Sequence, residues 1–412
     1  MTTRRGWAIA TISLIPALGA GSIGCGELDE SGAGRQNGVE TISSAISTTV
    51  RSNIRGFTRA DGTHGAVLRD AMGNLFEMRG TPLSNSKYLG VGDTAGSDPW
   101  AYRRTDNVNA YLYVAWGDGH VHEVTPFGTG FLDNDFASAF GINAPPARAD
   151  YTGVPDVIGY VRSDNTNAIV YRSSANHIIE IRDNAGGSPP WIPHDLTIDS
   201  NGPPATRGSA FPYVRSDGRN TIVYIAADNR IHEIATDLSG ASDKDLFTAS
   251  DETVAPSSEP WGYKRGDGIN AVVYVGSDGT LRELSLFVGH PCGAKPWCRG
   301  LIQAAVAPAS VRPSGYVRAD GLSAVVYVSN DTTIDGSLHE VTIGPGRGWI
   351  DGAMPINPTH INGLHAYGQP FGHLAPGNRS SVLLRVTVPP ANDIGTEMSL
   401  PSGSGTWGVQ RF

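Results

Sequence analysis

Positive charge is in short supply in this chain. Its 31 lysines and arginines stand against 40 aspartates and glutamates, a formal net charge of −9 over 412 residues. An acidic surface repels phosphate, which excludes nucleic acid as a partner. The basic residues that do cluster come only in pairs, Arg4-Arg5, Arg103-Arg104 and Lys264-Arg265. Cysteine is nearly absent, with 3 in all. Structural zinc wants four ligands, so Cys292 and Cys298 alone make a poor metal site. Six positions apart in a Pro- and Gly-rich loop, they suit one small disulfide in an oxidising compartment. Also missing are a Gly-x-Ser-x-Gly elbow, a His-Glu-x-x-His helix and a phosphate loop. The expectation is a protein that is no enzyme and needs neither cofactor nor metal.

Long apolar runs are lacking too. The one candidate, Trp7 to Ala20, is too short for a confident membrane span. It follows Arg4-Arg5 and leads into small residues up to Cys25, as an export signal does. Ser22-Ile-Gly-Cys25 resembles a bacterial lipoprotein cleavage box, with Cys25 as the lipid-bearing residue. Residues 1–25 therefore read as a signal peptide, with lipid anchoring and plain secretion both open. Residues 26–51, rich in Gly, Ser and Thr, read as a flexible linker. A membrane would be met only through that anchor, at the outer membrane or cell surface. Oligomerisation is left open.

What the chain does have is repetition. Arg265, Asp267, Asn270, Tyr274 and Glu283 form a ruler that fits Arg215, Asp217, Asn220, Tyr224 and Glu233 without a gap. It fits Arg162, Asp164, Asn167, Tyr171 and Glu180 equally. Arg104, Asp106, Asn109, Tyr113 and Glu123 need one extra residue, and Arg318, Asp320, Ser323, Tyr327 and Glu340 need four. A weaker early copy is Arg59, Asp61, His64, Leu68 and Glu77. A last copy keeps Gly372, Ser380, Leu384 and Glu397 but has lost its Arg and Asp. Each copy reads as strand, Asp-Gly turn, apolar strand, second turn and third strand. Repeats of about 40–50 residues made of short strands are propeller blades of four strands. The fold class is thus all-β: a seven-bladed β-propeller over residues 52–412, four antiparallel strands per blade. Asn270 to Val275 is apolar on both faces, as a strand sandwiched between neighbouring blades should be. Trp191 to Thr197, Trp297 to Ala304 and Trp349 onward are the clearest fourth strands. Thr406 to Phe412 is expected to close the ring by adding a strand to the first blade.

Asp and Asn of the repeat suit turn-building. Arg and Glu admit two readings: a ladder of structural ion pairs, or a clamp for vicinal hydroxyls. A further position varies while its frame holds: Trp100, Ile158, Phe211, Trp261, Ser314 and Phe371, each at the start of a blade's first strand. These are either core filler or platforms for the apolar face of a sugar. Trp191, Trp297 and Trp349 read as packing residues. His122-Glu123, His232-Glu233 and His339-Glu340 recur at one register and read as solvent-facing strand positions, not catalytic dyads.

Pro260 to Leu284, with Pro-Trp-Gly-Tyr-x-Arg-x-Asp-Gly-x-Asn-Ala-Val-Val-Tyr followed by Asp-Gly-x-Leu-x-Glu-Leu, resembles the seven-bladed bacterial lectins of the Photorhabdus type. Those lectins are related in design to six-bladed fungal fucose lectins. The resemblance implies a multivalent carbohydrate-binding protein taking fucose-like or O-methylated sugars, with glycans or glycoconjugates as partners. It implies pockets at Trp100, Arg104 and Glu123, at Trp261, Arg265 and Glu283, and at Phe211, Arg215 and Glu233. The competing reading is a cell-surface scaffold propeller for protein partners.

Overall fold

The computed structural model describes residues 50–412, apart from 82, 93, 141–156, 185, 189, 238–239, 290–291, 304–311, 330–337, 345–347, 355–364, 389–391 and 403–406. The expected signal peptide, Cys25 and nearly all of the linker lie outside the described residues. Those described form seven four-stranded antiparallel sheets, each a simple meander of consecutive strands. The blades occupy 55–88, 100–135, 157–195, 205–245, 261–303, 314–353 and 365–411. The only helices among the described residues are three single turns, Phe136–Phe140, Leu196–Asp199 and Leu246–Ser250, each following a fourth strand.

Sequence pattern accounts for the blade. The second strands, such as Asn109–Val114, Asn167–Arg172, Asn270–Val275 and Ser323–Val328, are buried along their whole length. Both of their faces are covered by neighbouring strands and blades, hence the unbroken Ala, Val and Tyr. The turn before each one needs a left-handed residue. Gly218 and Gly268 supply it at φ 81° and 83°, and Asn107 and Asn165 at 64° and 61°. Asparagine tolerates that region better than other side-chain-bearing residues, so Asp-Gly and Asp-Asn are interchangeable here.

Blades pack through a fixed phrase. The first-strand tyrosine of one blade lies across the first-strand glycine of the next: Tyr102 on Gly159, Tyr213 on Gly262, Tyr263 on Gly315 and Tyr316 on Gly372. A Cβ on any of those glycines would run into the ring. A second link runs the same way. The side-chain oxygen opening each second strand accepts a backbone N–H from the preceding blade, as Asn167 does from Thr105 (2.8 Å) and Asn270 from Ser216 (2.7 Å).

Ring closure differs from expectation. The strand Gly408–Arg411 pairs with Asn392–Pro401 of its own blade, and the first blade has its own fourth strand, Asn85–Tyr88. That strand is the polar segment Asn-Ser-Lys-Tyr, mostly exposed and hydrogen-bonded on one side, so it carries no apolar signature. Cys292 and Cys298 are disulfide-bonded, stapling the loop before the fourth strand of blade five.

Candidate functional site

The repeated Arg and Glu meet within each blade. Arg104 donates to Glu123 at 2.9 Å, Arg162 to Glu180 at 2.8 Å and Arg215 to Glu233 at 2.9 Å. Arg265 reaches both oxygens of Glu283, at 3.1 and 3.3 Å, and Arg318 reaches Glu340 at 2.8 Å. The geometry follows from the meander. The arginine ends the first strand, and the glutamate stands on the third, two strands away across the same sheet. A second arm of the guanidinium donates to the turn aspartate: Arg104 to Asp106 at 2.9 Å and Arg265 to Asp267 at 2.6 Å. The last blade, which lacks the usual arginine, supplies one from another position. Arg379, next to Ser380, donates to Glu397 at 3.2 Å.

Burial sets the chemistry of these carboxyls. It pushes Glu123 and Glu283 up to about 7, against the pull of their arginines. In three blades the first-strand tyrosine also donates to the glutamate: Tyr160 to Glu180 (2.5 Å), Tyr213 to Glu233 (2.8 Å) and Tyr316 to Glu340 (2.6 Å). In blades two and five the hydroxyls of Tyr102 and Tyr263 have no hydrogen-bond partner among the described residues, nor does Oε1 of Glu123.

The same two blades carry the aromatic element. The guanidinium of Arg104 lies over the ring of Trp191, 5.5 Å from its centroid, and that of Arg265 over Trp349 at 5.7 Å. Both indoles belong to the outer edge of the following blade. At the seam of blades two and three, and again at five and six, an arginine, a glutamate and an indole therefore converge. Arg104 keeps 20% of its side chain exposed, and Trp349 is half-buried. Trp191, read from sequence as packing, is indeed buried, and it also covers the guanidinium.

Trp100, Phe211 and Trp261 are elsewhere. Their rings are buried and gather with Phe371: Trp100 to Phe371 at 5.7 Å, Trp100 to Trp261 at 6.5 Å and Phe211 to Trp261 at 3.9 Å between centroids. Side chains from blades two, four, five and seven can meet only on the ring axis. The expected platforms are thus a plug, and the core-filler reading is the right one. Two arginines complete it. Arg55 lies against Trp100 and Phe371, at 5.8 and 5.5 Å, while Arg312 lies 5.9 Å from Phe211 and Trp261. Burial, helped by the charge of Arg312, pulls Arg55 down to about 9. These positions vary because seven fingers of different size fill one irregular space, whereas the frame repeats because the seams repeat. With Phe211 on the axis, Arg215 and Glu233 pair with no indole over them among the described residues. His122 and His232 are buried, not solvent-facing, each held by an outer-strand aspartate that linear spacing does not bring to mind: Asp133 at 3.1 Å and Asp243 at 2.7 Å.

No family model matches the chain, and no curated protein does. Solved structures do. A triple arginine-to-alanine variant of AofleA from Arthrobotrys oligospora is similar over 77% of this chain and 87% of its own, at 13% identity and a TM-score of 0.50. The six-bladed fungal lectin of Aleuria aurantia, described with a fucose recognition mode, covers 88% of this chain and 96% of its own, at 11% identity and 0.45. The Swd1 β-propeller domain of Myceliophteria thermophila covers 86% of this chain and 98% of its own, at 11% identity and 0.48. The fold itself is seen directly: the described residues form seven four-stranded blades.

Proposed function

We propose that the chain is a multivalent carbohydrate-binding protein that takes fucose-like or O-methylated sugars at blade seams and performs no chemistry on them. The observation that carries the reading is the convergence of guanidinium, carboxylate and indole at Arg104, Glu123 and Trp191, and again at Arg265, Glu283 and Trp349. A planar guanidinium beside a carboxylate offers donors and acceptors at the spacing of vicinal hydroxyls, and an indole offers the apolar face a deoxy-sugar needs. The unpartnered hydroxyls of Tyr102 and Tyr263 leave hydrogen-bonding capacity in the same two blades. Shallow pockets bind weakly one at a time, and a rigid ring that repeats them gains by avidity. The disulfide agrees with an exported protein, displayed on a lipid anchor at Cys25 or secreted.

A glycan array probed with wild type and with Trp191→Ala, Trp349→Ala tests this. Binding to fucosylated or O-methylated sugars should fall at least about tenfold in the double variant while its melting temperature shows a folded ring, one anchor loss being worth about 1.4 kcal/mol or more. A loss in Trp100→Ala, Trp261→Ala instead would move the pockets to the axis. A flat array from folded wild type would sink the sugar reading and favour a protein-binding scaffold.

A further inference from the structure

Blades two to five share a corner where the turn between second and third strands faces the end of the fourth. Its residues differ from blade to blade. In blade four His232 sits between Asp243 (2.7 Å) and Asp228 (3.2 Å), with both ring nitrogens partnered, and Arg230 closes on Asp245 at 2.7 Å. In blade five Arg282 takes the histidine's place and pairs with Asp278 at 2.7 Å and Glu252 at 3.3 Å. Blade three keeps one pair, His177 with Asp195 at 2.7 Å, and has Ala175, Ile179 and Pro193 at the remaining positions. Wherever several carboxylates gather, an arginine gathers with them.

Blade two breaks that rule. His120 stands where blade four has Arg230, with Nδ1 at 3.2 Å from Oδ2 of Asp135 and 3.5 Å from Oδ2 of Asp118. His122 stands where blade four has His232, its side chain only 9% exposed. No lysine or arginine pairs with Asp118, Asp133 or Asp135 among the described residues. The orientation of His122 follows from its neighbours. Nδ1 faces Oδ1 of Asp133 at 3.1 Å, and the other oxygen of Asp133 accepts from Tyr113 (2.6 Å) and from the amide of Gly92 (2.5 Å). With Nδ1 turned to Asp133, Nε2 points inward toward Asp118. That nitrogen is buried without a hydrogen-bond partner among the described residues, 3.6 Å from Oδ2 of Asp118. A buried ring nitrogen facing a carboxylate is stabilised by a proton of its own or by a cation held between the two. The outer oxygens are already engaged: Asp118 Oδ1 by the amide of His120 (2.7 Å) and Asp135 Oδ1 by that of Ala137 (2.9 Å). Ser138 donates to Asp135 Oδ2 at 2.5 Å.

We propose that this corner of blade two is a divalent transition-metal site, with His120 Nδ1, His122 Nε2 and Oδ2 of Asp118 and Asp135 as ligands. Asp133 is the outer carboxylate that orients His122, the usual arrangement behind a metal-bound imidazole. The ligand atoms of Asp118, His120 and Asp135 all lie within 4.8 Å of one another, and His122 Nε2, 3.6 Å from Asp118, stands outside that group and completes the shell as the ion draws the corner in. Within that group the separations from His120, 3.2 Å to Asp135 and 3.5 Å to Asp118, bracket the edge of about 3.3–3.4 Å in a tetrahedron of ~2.0–2.1 Å bonds. Two imidazoles with two carboxylates suit zinc better than calcium or magnesium, which prefer all-oxygen shells. The ion makes the link that Arg230 makes in blade four, tying the turn to the aspartate that precedes the short helix.

Calorimetric titration of zinc into the full chain, purified without a histidine tag and stripped with chelator, tests the site. Wild type should take up one equivalent, and cobalt should give the visible bands of a four-coordinate ion. His120→Arg, which copies blade four, should fold and bind none. Arg230→His, which copies blade two, should bind a second equivalent. Asp133→Asn should weaken binding roughly 10- to 100-fold. Folded wild type that binds no zinc, or uptake unchanged in His120→Arg, would overturn the proposal. Because zinc uptake is the readout, the outcome does not depend on the sugar reading.

Discussion

Six seams of this ring follow one rule and the seventh follows another. At the six, the amide just after the first-strand arginine donates to a side-chain oxygen of the next blade. Ala60 donates to Asn109, Thr105 to Asn167, Ser163 to Asn220, Ser216 to Asn270, Gly266 to Ser323 and Ala319 to Ser380, all at 2.7–3.0 Å. Between blades seven and one the corresponding donor position is Pro376, which has no N–H to give. The acceptor position is accordingly not Asn or Ser but His64. Its Nε2 meets Nε2 of His373 at 2.9 Å, and Arg379 donates to its Nδ1 at 3.3 Å. His373 also takes the tyrosine's role, lying across Gly56. Around this pair Asn53 accepts the amide of Gln369 (2.7 Å), Arg55 donates to Gln369 (2.8 Å) and Gln410 donates to the carbonyl of Leu83 (3.0 Å). Losing one backbone donor therefore changed the chemistry of a whole interface, from neutral amides to a buried imidazole pair.

That contrast makes acid the sharpest way to separate the seams. Burial, with the charge of Arg379 beside it, lowers His64 to about 3, and burial holds His373 well below its ordinary value. Glu397, 3.4 Å from His64 Nδ1, is the carboxylate facing the pair. The unfolded chain takes up these protons near pH 6.5 and the folded ring does not, so the pair's contribution to stability is full above that pH and falls as acid is added. The unfolded chain is already half protonated at pH 6.5, so by pH 5 His64 should cost about 2 kcal/mol, and His373 adds in the same direction. The buried Glu123 and Glu283 act in the opposite sense, so the cost is read as the difference between wild type and His64→Asn, His373→Asn in denaturant melts at the two pH values. No difference between the two pH profiles would mean the pair is already protonated or open. Next in size is an ordinary seam. Asn270→Ala should cost about 1–2 kcal/mol by stranding the Ser216 amide, and by the same amount at both pH values. The smallest effect is expected from rewriting the seventh seam as an ordinary one. His64→Asn with Pro376→Ala should change neutral stability by no more than about 1 kcal/mol while removing the His64 share of the acid sensitivity. An unchanged pH profile in that double variant would place the sensitivity outside this seam.

Much of this was legible in the chain, and the boundary of legibility has a physical shape. Repetition shows which positions are equivalent, so the blade count, the strand pattern, the Arg–Glu spacing and the register of Ser380 all follow from it. It does not show where a radial direction points. Trp100 and Trp191 are both aromatic and near strand starts, yet one plugs the axis and the other covers Arg104 at a seam. Nothing in linear alternation separates those destinations, because both are side chains standing off a sheet. Exposed outer strands leave a weak signal for the same reason that Asn85–Tyr88 was missed: with one neighbour and one wet edge, they need no apolar run. The blade-two corner joins a turn at Asp118 to a strand end at Asp135, and only the hairpin brings them together.

Closure without a shared strand also bears on how the ring is made. Every sheet is completed by consecutive residues, so each blade can form as soon as its own segment has left the ribosome or crossed a membrane, by local contacts that assemble fast. One seam must wait. His64 and His373 are 309 positions apart, and the flank of blade one that will receive blade seven stays uncovered until the chain is nearly finished. During that interval the flank of one chain accepts the seventh blade of another as readily as its own. Crowded synthesis should therefore yield exchanged dimers joined at this seam, and dilution should favour closed rings.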